Sequence, residues 1–96
     1  MKIELSLQVA DFMRRLAPEP RSLLRRSLRE LAKGKGDIVA LEGPLEGYCR
    51  LRVGGFRIIF AYSGGRSIQC VFAERRSIVY EVFAQALADK LVGVDK

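Results

Sequence analysis

Three arginines crowd one short stretch of this chain. Residues 47–60 read Gly-Tyr-Cys-Arg-Leu-Arg-Val-Gly-Gly-Phe-Arg-Ile-Ile-Phe, with Arg50, Arg52 and Arg57 threaded through apolar neighbours. A double glycine between alternating apolar runs predicts a two-residue hairpin turn at Gly54-Gly55, because such turns need positive φ at their centre. Val53 then stands opposite Phe56, Arg52 opposite Arg57 and Arg50 opposite Ile59, so all three arginines share one face. Like charges directly across a strand pair are destabilising, and the obvious counterpart for such a face is a polyanion. Guanidinium groups suit phosphate, since they stay charged and present a planar fork to its oxygens.

The remaining chemistry is bounded by what is missing. The chain has no histidine, which removes Ser-His-Asp and Cys-His triads, histidine metal centres and histidine acid–base catalysis. Any catalysis must use Arg, Lys, Tyr or carboxylates. Two cysteines, Cys49 and Cys70, fall in predicted strands and read as reduced small hydrophobes; without histidine they make a poor zinc site. No metal or other cofactor is expected. The net charge of +6 and pI near 9.8 suit a nucleic-acid or acidic protein partner, and equally a merely soluble basic protein.

The elements that must carry these residues follow from periodicity. At 96 residues the chain fits a single domain, 1–96, with one modest core. No apolar run approaches the roughly 18 residues of a membrane span, and the start lacks a signal-peptide core, so a cytoplasmic protein without membrane contact is expected. Residues 3–7 alternate as a half-buried strand. A short helix opening at Gln8 or Val9 buries Val9, Phe12, Met13 and Leu16 and ends at Pro18. A second helix starts at Glu19-Pro20, buries Leu23, Leu24, Leu28 and Leu31, and stops at Lys33-Gly34-Lys35-Gly36. Its Arg21, Arg25, Arg26, Arg29 and Lys33 read as a solvated face, with phosphate contact or docking of an acidic partner as alternatives.

Residues 37–46 read as an irregular connection carrying the apolar patch Ile38-Val39-Ala40-Leu41 and a Gly43-Pro44 breaker. Three strands follow, over 47–53, 56–63 and 66–73. In the last, both Ile68, Cys70, Phe72 and Val71, Ala73 fit an inward face. Near-continuous apolar character in the later strands predicts a sheet at least partly covered on both faces. Ile78, Val79, Val82, Phe83, Leu87 and Leu91 have helical spacing up to Gly93, and the tail from Val94 is expected to fray. The order strand, helix, helix, three strands, helix is an α+β domain, with a two-helix hairpin packed on an antiparallel-rich twisted sheet.

Two separated stretches in this order resemble the RelE/ParE toxin superfamily. Residues 41–60 are similar to its Leu-x-Gly stretch followed by an Arg-Leu-Arg-Val-Gly-x-(Tyr/Phe)-Arg hairpin, and Arg76-Ser77-Ile78-Val79-Tyr80 resembles its Arg-x-x-Val-Tyr signature. The resemblance spans nearly the whole chain. It implies a RelE-like fold of order β-α-α-β-β-β-α and a type II toxin held inactive by a small antitoxin. The RelE branch consists of ribosome-dependent endoribonucleases that cut mRNA in the A site, whereas the ParE branch inhibits DNA gyrase without a comparable nuclease site.

The resemblance also implies residue roles. Arg57 matches the hairpin arginine that grips the scissile phosphate, and Arg50 matches a catalytic lysine. Tyr80 matches the tyrosine that stacks on or orients substrate, and Arg76 the arginine of its motif. Tyr48 stands where RelE enzymes carry a lysine that moves the proton. Glu74 replaces a transition-state arginine, whose space Arg75 would fill if the local register slipped. Tyr48 as a proton-transfer group and Glu74 as a base are the substitutes this implies. Arg52, Arg75 and Arg76 are expected to hold phosphate or RNA. The leading expectation is a metal-independent mRNA endoribonuclease of the RelE kind. A ParE-like gyrase inhibitor, or an inactive homologue that retains antitoxin or nucleic-acid binding, is the alternative.

Overall fold

The computed structural model describes the backbone of residues 1–75 and 79–94 and the side chains of residues 1–75 and 80–89. Elements run β1 (Lys2–Leu5), α1 (Leu7–Arg14), α2 (Pro18–Ala32), β2 (Asp37–Ala40), a single 3-10 turn (Gly43–Leu45), β3 (Cys49–Val53), β4 (Phe56–Ser63), β5 (Ser67–Arg75) and α3 (Val79–Val94). They form one sheet of order β1-β5-β4-β3-β2, antiparallel except for the β1–β5 pair. The α+β class and the predicted order hold, with one strand added.

That strand is β2. The stretch expected to be irregular pairs Asp37 to Ala40 against Arg52 to Cys49 and closes the sheet on that side. Gly36 makes the entry possible: its φ is 137°, and a Cβ there would come within 2.8 Å of Leu51 Cδ1. A side chain would therefore be both conformationally disfavoured and in collision with a core residue.

Helix α1 starts earlier than periodicity suggested, because Ser6 caps it. The Ser6 hydroxyl accepts from the Val9 N–H and donates to the Val71 carbonyl, which joins a cap to an inter-element bond. Gln8 completes this seam. Its side-chain amide donates to the Ala73 carbonyl at 2.7 Å and accepts from the Ala73 N–H at 2.8 Å. The pair replaces a neighbouring strand where β1 ends and β5 continues. At the far end of α1, Arg21 Nη2 donates to the carbonyl of Arg14, the last helical residue, at 3.3 Å and to that of Leu16 just beyond at 2.7 Å. Arg21 therefore leaves the solvated stripe assigned to it and satisfies orphan helix carbonyls.

The core lies mainly between the sheet and α1 and α2. Val9, Met13, Leu24, Leu28 and Leu31 pack there against Leu51, Val53, Ile58, Phe60, Ile68, Cys70 and Ala73. Leu23, expected in this stripe, is 37% exposed. A smaller cluster on the opposite face joins Ile59 to Phe83 of α3, with Tyr48, Val71, Phe72 and Leu87 around them. Both faces are thus covered in part.

A bulge resolves the ambiguous inward face of β5. Ile59 pairs with Phe72 but the next residue, Phe60, pairs with Cys70, so Val71 has no partner. The extra residue switches the alternation. Ile68 and Cys70 face α1 and α2, Phe72 faces α3, and Ala73 returns to the main core. Each of the two inward sets was therefore half of the answer. Predictions for Ile78 and Leu91, and for the tail beyond Val94, fall outside the described side chains.

Both thiols are free. Burial pushes Cys70 from an ordinary value of 9.0 up to about 12, and pushes Cys49 upward as well.

Candidate functional site

The hairpin register is the one that Gly54-Gly55 predicts: Val53 opposite Phe56, Arg52 opposite Arg57, Arg50 opposite Ile59. Gly54 has a φ of 57°, in the left-handed region such a turn requires. Because Ile59 packs under Phe83, the three arginines lie on the α3 side of the sheet. Glu74 joins them, directly opposite Arg57 across β4 and β5.

Two adjacent like charges persist here because their guanidiniums turn in different directions. Arg57 is 8% exposed, the one buried charged residue among those described. Its Nη1 donates to the Gly54 and Phe56 carbonyls, each at 2.9 Å, pinning the turn that the glycines allow. Arg52 turns the other way, toward the sheet edge, where its Nε lies 3.3 Å from Asp37 Oδ2. Arg50 meets the same carboxylate, Nη1 to Oδ1 at 3.2 Å, and also donates to the Asp37 carbonyl at 3.1 Å. One carboxylate on an edge strand thus bridges two arginines of β3 and offsets repulsion across the strand pair.

Asp37 was missed by sequence reasoning, which left residues 37–46 without regular structure. The signal existed: Ile38-Val39-Ala40-Leu41 is a short apolar run bounded by Gly36 and Gly43-Pro44, which fits a strand.

The other expected site residues divide by position. Tyr48 lies two residues before Arg50 and packs edge-on against Phe83, ring centroids 5.0 Å apart. About 13 Å of strand separates it from Arg52, so Tyr48 and Arg57 stand at opposite ends of the face. Tyr80 is 38% exposed in the first turn of α3, one turn before Phe83 and five residues beyond Arg75. Glu74 Oε1 accepts from the Arg75 N–H at 3.1 Å.

Arg75 does not fill the space of Glu74. Pairing is regular here, Arg57 with Glu74 and Phe56 with Arg75, so no slip occurs. Arg75 points to the other face, its guanidinium carbon 5.5 Å from the centre of the Phe56 ring. Phe56 in turn meets Phe12 at 5.8 Å. Arg75 and Glu74 line an open cleft of about 400 Å³ with Gln8, Asp11, Phe12, Arg15 and Leu16. Arg76 lies outside the described residues.

The structure therefore brings Arg57, Arg52, Arg50 and Glu74 onto one face of the sheet, and sets Tyr48 and Arg75 apart from that group. Among the described residues no three His, Cys, Asp or Glu side chains are placed to hold a metal, and no helix is long and apolar enough to cross a membrane.

No protein-family model matches the sequence, and no curated protein does. Solved structures do. The YoeB/ParE toxin from Agrobacterium tumefaciens superposes with a TM-score of 0.67 at 21% identity, over 79% of this chain and 99% of that one. A chain of the RelB-RelE antitoxin-toxin complex from Methanococcus jannaschii gives 0.66 at 20% identity, over 83% and 98%. YafQ from E. coli strain BL21(DE3) gives 0.60 at 15% identity, over 79% and 93%. The chain has the fold of RelE/ParE-superfamily toxins.

Proposed function

We propose, from that shared fold, that this chain is the toxin of a type II toxin–antitoxin pair. It acts in the cytoplasm as a RelE-like, ribosome-dependent mRNA endoribonuclease without a metal, and a cognate antitoxin neutralises it. The RelB-RelE complex among the structures of this fold supports the antitoxin partner. The observation that carries the nuclease reading is the arginine face, with Arg52 and Arg57 directly paired and Glu74 beside Arg57.

Cleavage proceeds by attack of a ribose 2′-oxygen on the adjacent phosphorus. The P–O5′ bond breaks, giving a 2′,3′-cyclic phosphate and a 5′-hydroxyl. Arg57 holds the scissile phosphate, and Arg50 and Arg52 stabilise charge building on its oxygens. Glu74 takes the 2′-hydroxyl proton, being the carboxylate opposite the phosphate holder. Tyr80 orients the substrate and supplies a phenol proton to the leaving 5′-oxygen. Tyr48, packed on Phe83, holds α3 over the sheet. Arg75 and Arg76 contact flanking RNA.

The test is incubation of purified protein with message bound to ribosomes. Wild type is expected to cut within the A-site codon, and Arg57→Ala to leave the message whole. Intact message with wild type at every concentration would sink the nuclease reading.

One observation favours a second reading. Tyr48 and Glu74 stand where RelE enzymes carry lysine and arginine, and Tyr48 is spent on packing. A ParE-like gyrase inhibitor needs no nuclease site. Inhibition of gyrase supercoiling without RNA cutting supports this alternative.

A further inference from the structure

Asp37 does more than neutralise charge. Its carboxylate contacts two guanidiniums with separate oxygens, Oδ1 to Arg50 and Oδ2 to Arg52. That is how a phosphate would use two of its own oxygens. The contact also has a direction. Asp37 belongs to the outermost strand, whereas Arg57 lies across β3 on β4. An arginine held by Asp37 is therefore drawn away from the position where it could share a phosphate with Arg57.

The pair is also built to exchange. The Asp37 side chain is 49% exposed and that of Arg52 56%, and ion pairs this wet are weak. Arg50, at 17% exposed, is held more firmly through its second bond to the Asp37 carbonyl.

We propose that Asp37 is an internal competitor for the phosphate site: it occupies the anion position formed by Arg50 and Arg52 until an incoming phosphate displaces it and turns both toward Arg57. This rests on the phosphate-binding role of Arg50 and Arg52 proposed above. Asp37 is a positioning residue, acting on substrate only through the two arginines. It lowers affinity for stray phosphates, and only a substrate that also engages Arg57 recovers the cost.

The test uses the full chain with inorganic pyrophosphate as the probe. Titration calorimetry gives the half-saturating concentration in every variant, and the Nε–H NMR signals of Arg50 and Arg52, where those arginines are present, show whether they respond. Asp37→Asn is expected to lower the half-saturating concentration about three- to fivefold, the scale of one exposed ion pair. Asp37→Glu is expected to restore wild-type behaviour. Glu19→Gln makes the same charge change on the exposed first turn of α2 and is expected to shift the midpoint by less than about 1.5-fold. The Asp37→Asn gain is expected to vanish when Arg50 and Arg52 are both alanine. An Asp37→Asn midpoint no lower than that of Glu19→Gln, a gain that survives in the double-alanine background, or no response of either arginine in any variant would each overturn the proposal. Competition intact with no RNA cut on ribosomes would instead reject the nuclease reading and leave the competitor standing.

Discussion

Arg57 carries two duties that pull its substitution in different directions. It pins the Gly54-Gly55 turn through two carbonyls and is the proposed phosphate holder. Arg57→Lys keeps the charge and can donate to one carbonyl, but loses the planar fork. It is expected to cut RNA at least about 10²-fold more slowly. Its melting temperature is expected to stay within about 8 °C of wild type, the shift for a loss near 1 kcal/mol in a domain this small. Calorimetry beside the cleavage assay separates the two duties. Glu74→Gln leaves shape intact and removes the proposed base, so cleavage should fall about 10²-fold with unchanged RNA binding by anisotropy. Weakened binding in that variant would point to a structural carboxylate instead.

At the scale of elements, the seam between α1 and β5 rests on a side chain that imitates a strand. Replacing Gln8 by leucine leaves the Ala73 N–H and carbonyl without their partners. The expected loss is about 2 kcal/mol, or a melting temperature lower by about 10 °C. A shift under about 2 °C would show that water substitutes for the amide. The hairpin was legible because a double glycine between alternating runs allows few other arrangements. The strand β2 was only weakly legible, since its short apolar run is bounded as a strand would be but shows no alternation. The β5 bulge was hidden for a different reason. Val71 and Phe72 are both apolar, so either fits an inward position and only pairing decides. The link from Asp37 to Arg50 and Arg52 was invisible for the same cause, because it exists only once β2 is placed beside β3.

The whole molecule adds two tests. Cys70 is buried and its thiol is pushed up to about 12, while the unfolded thiol ionises near 9.0. Between those values the unfolded state holds fewer protons than the folded state, so stability should fall as pH rises from about 9 toward 12. Cys70→Ala should flatten that part of the decline in urea-melt midpoints, measured from its own lower starting stability. An unflattened curve would place the ionising group elsewhere. The second test concerns charge. With a net charge of +6, association with single-stranded RNA should weaken linearly in log salt, with a slope near −0.7 per phosphate neutralised. If the arginine face makes those contacts, replacing both Arg50 and Arg52 by alanine should flatten the slope by about 1.4 units; an unchanged slope would move the contact elsewhere.

The arginine face of β3 and β4 is central to the proposed nuclease activity, and cells offer the most direct test of it. RNA 5′ ends mapped against ribosome position after induction should cluster at A-site codons for wild type and be absent for a folded Arg57→Lys. Growth arrest with no such ends and with inhibited gyrase supercoiling would contradict the nuclease account.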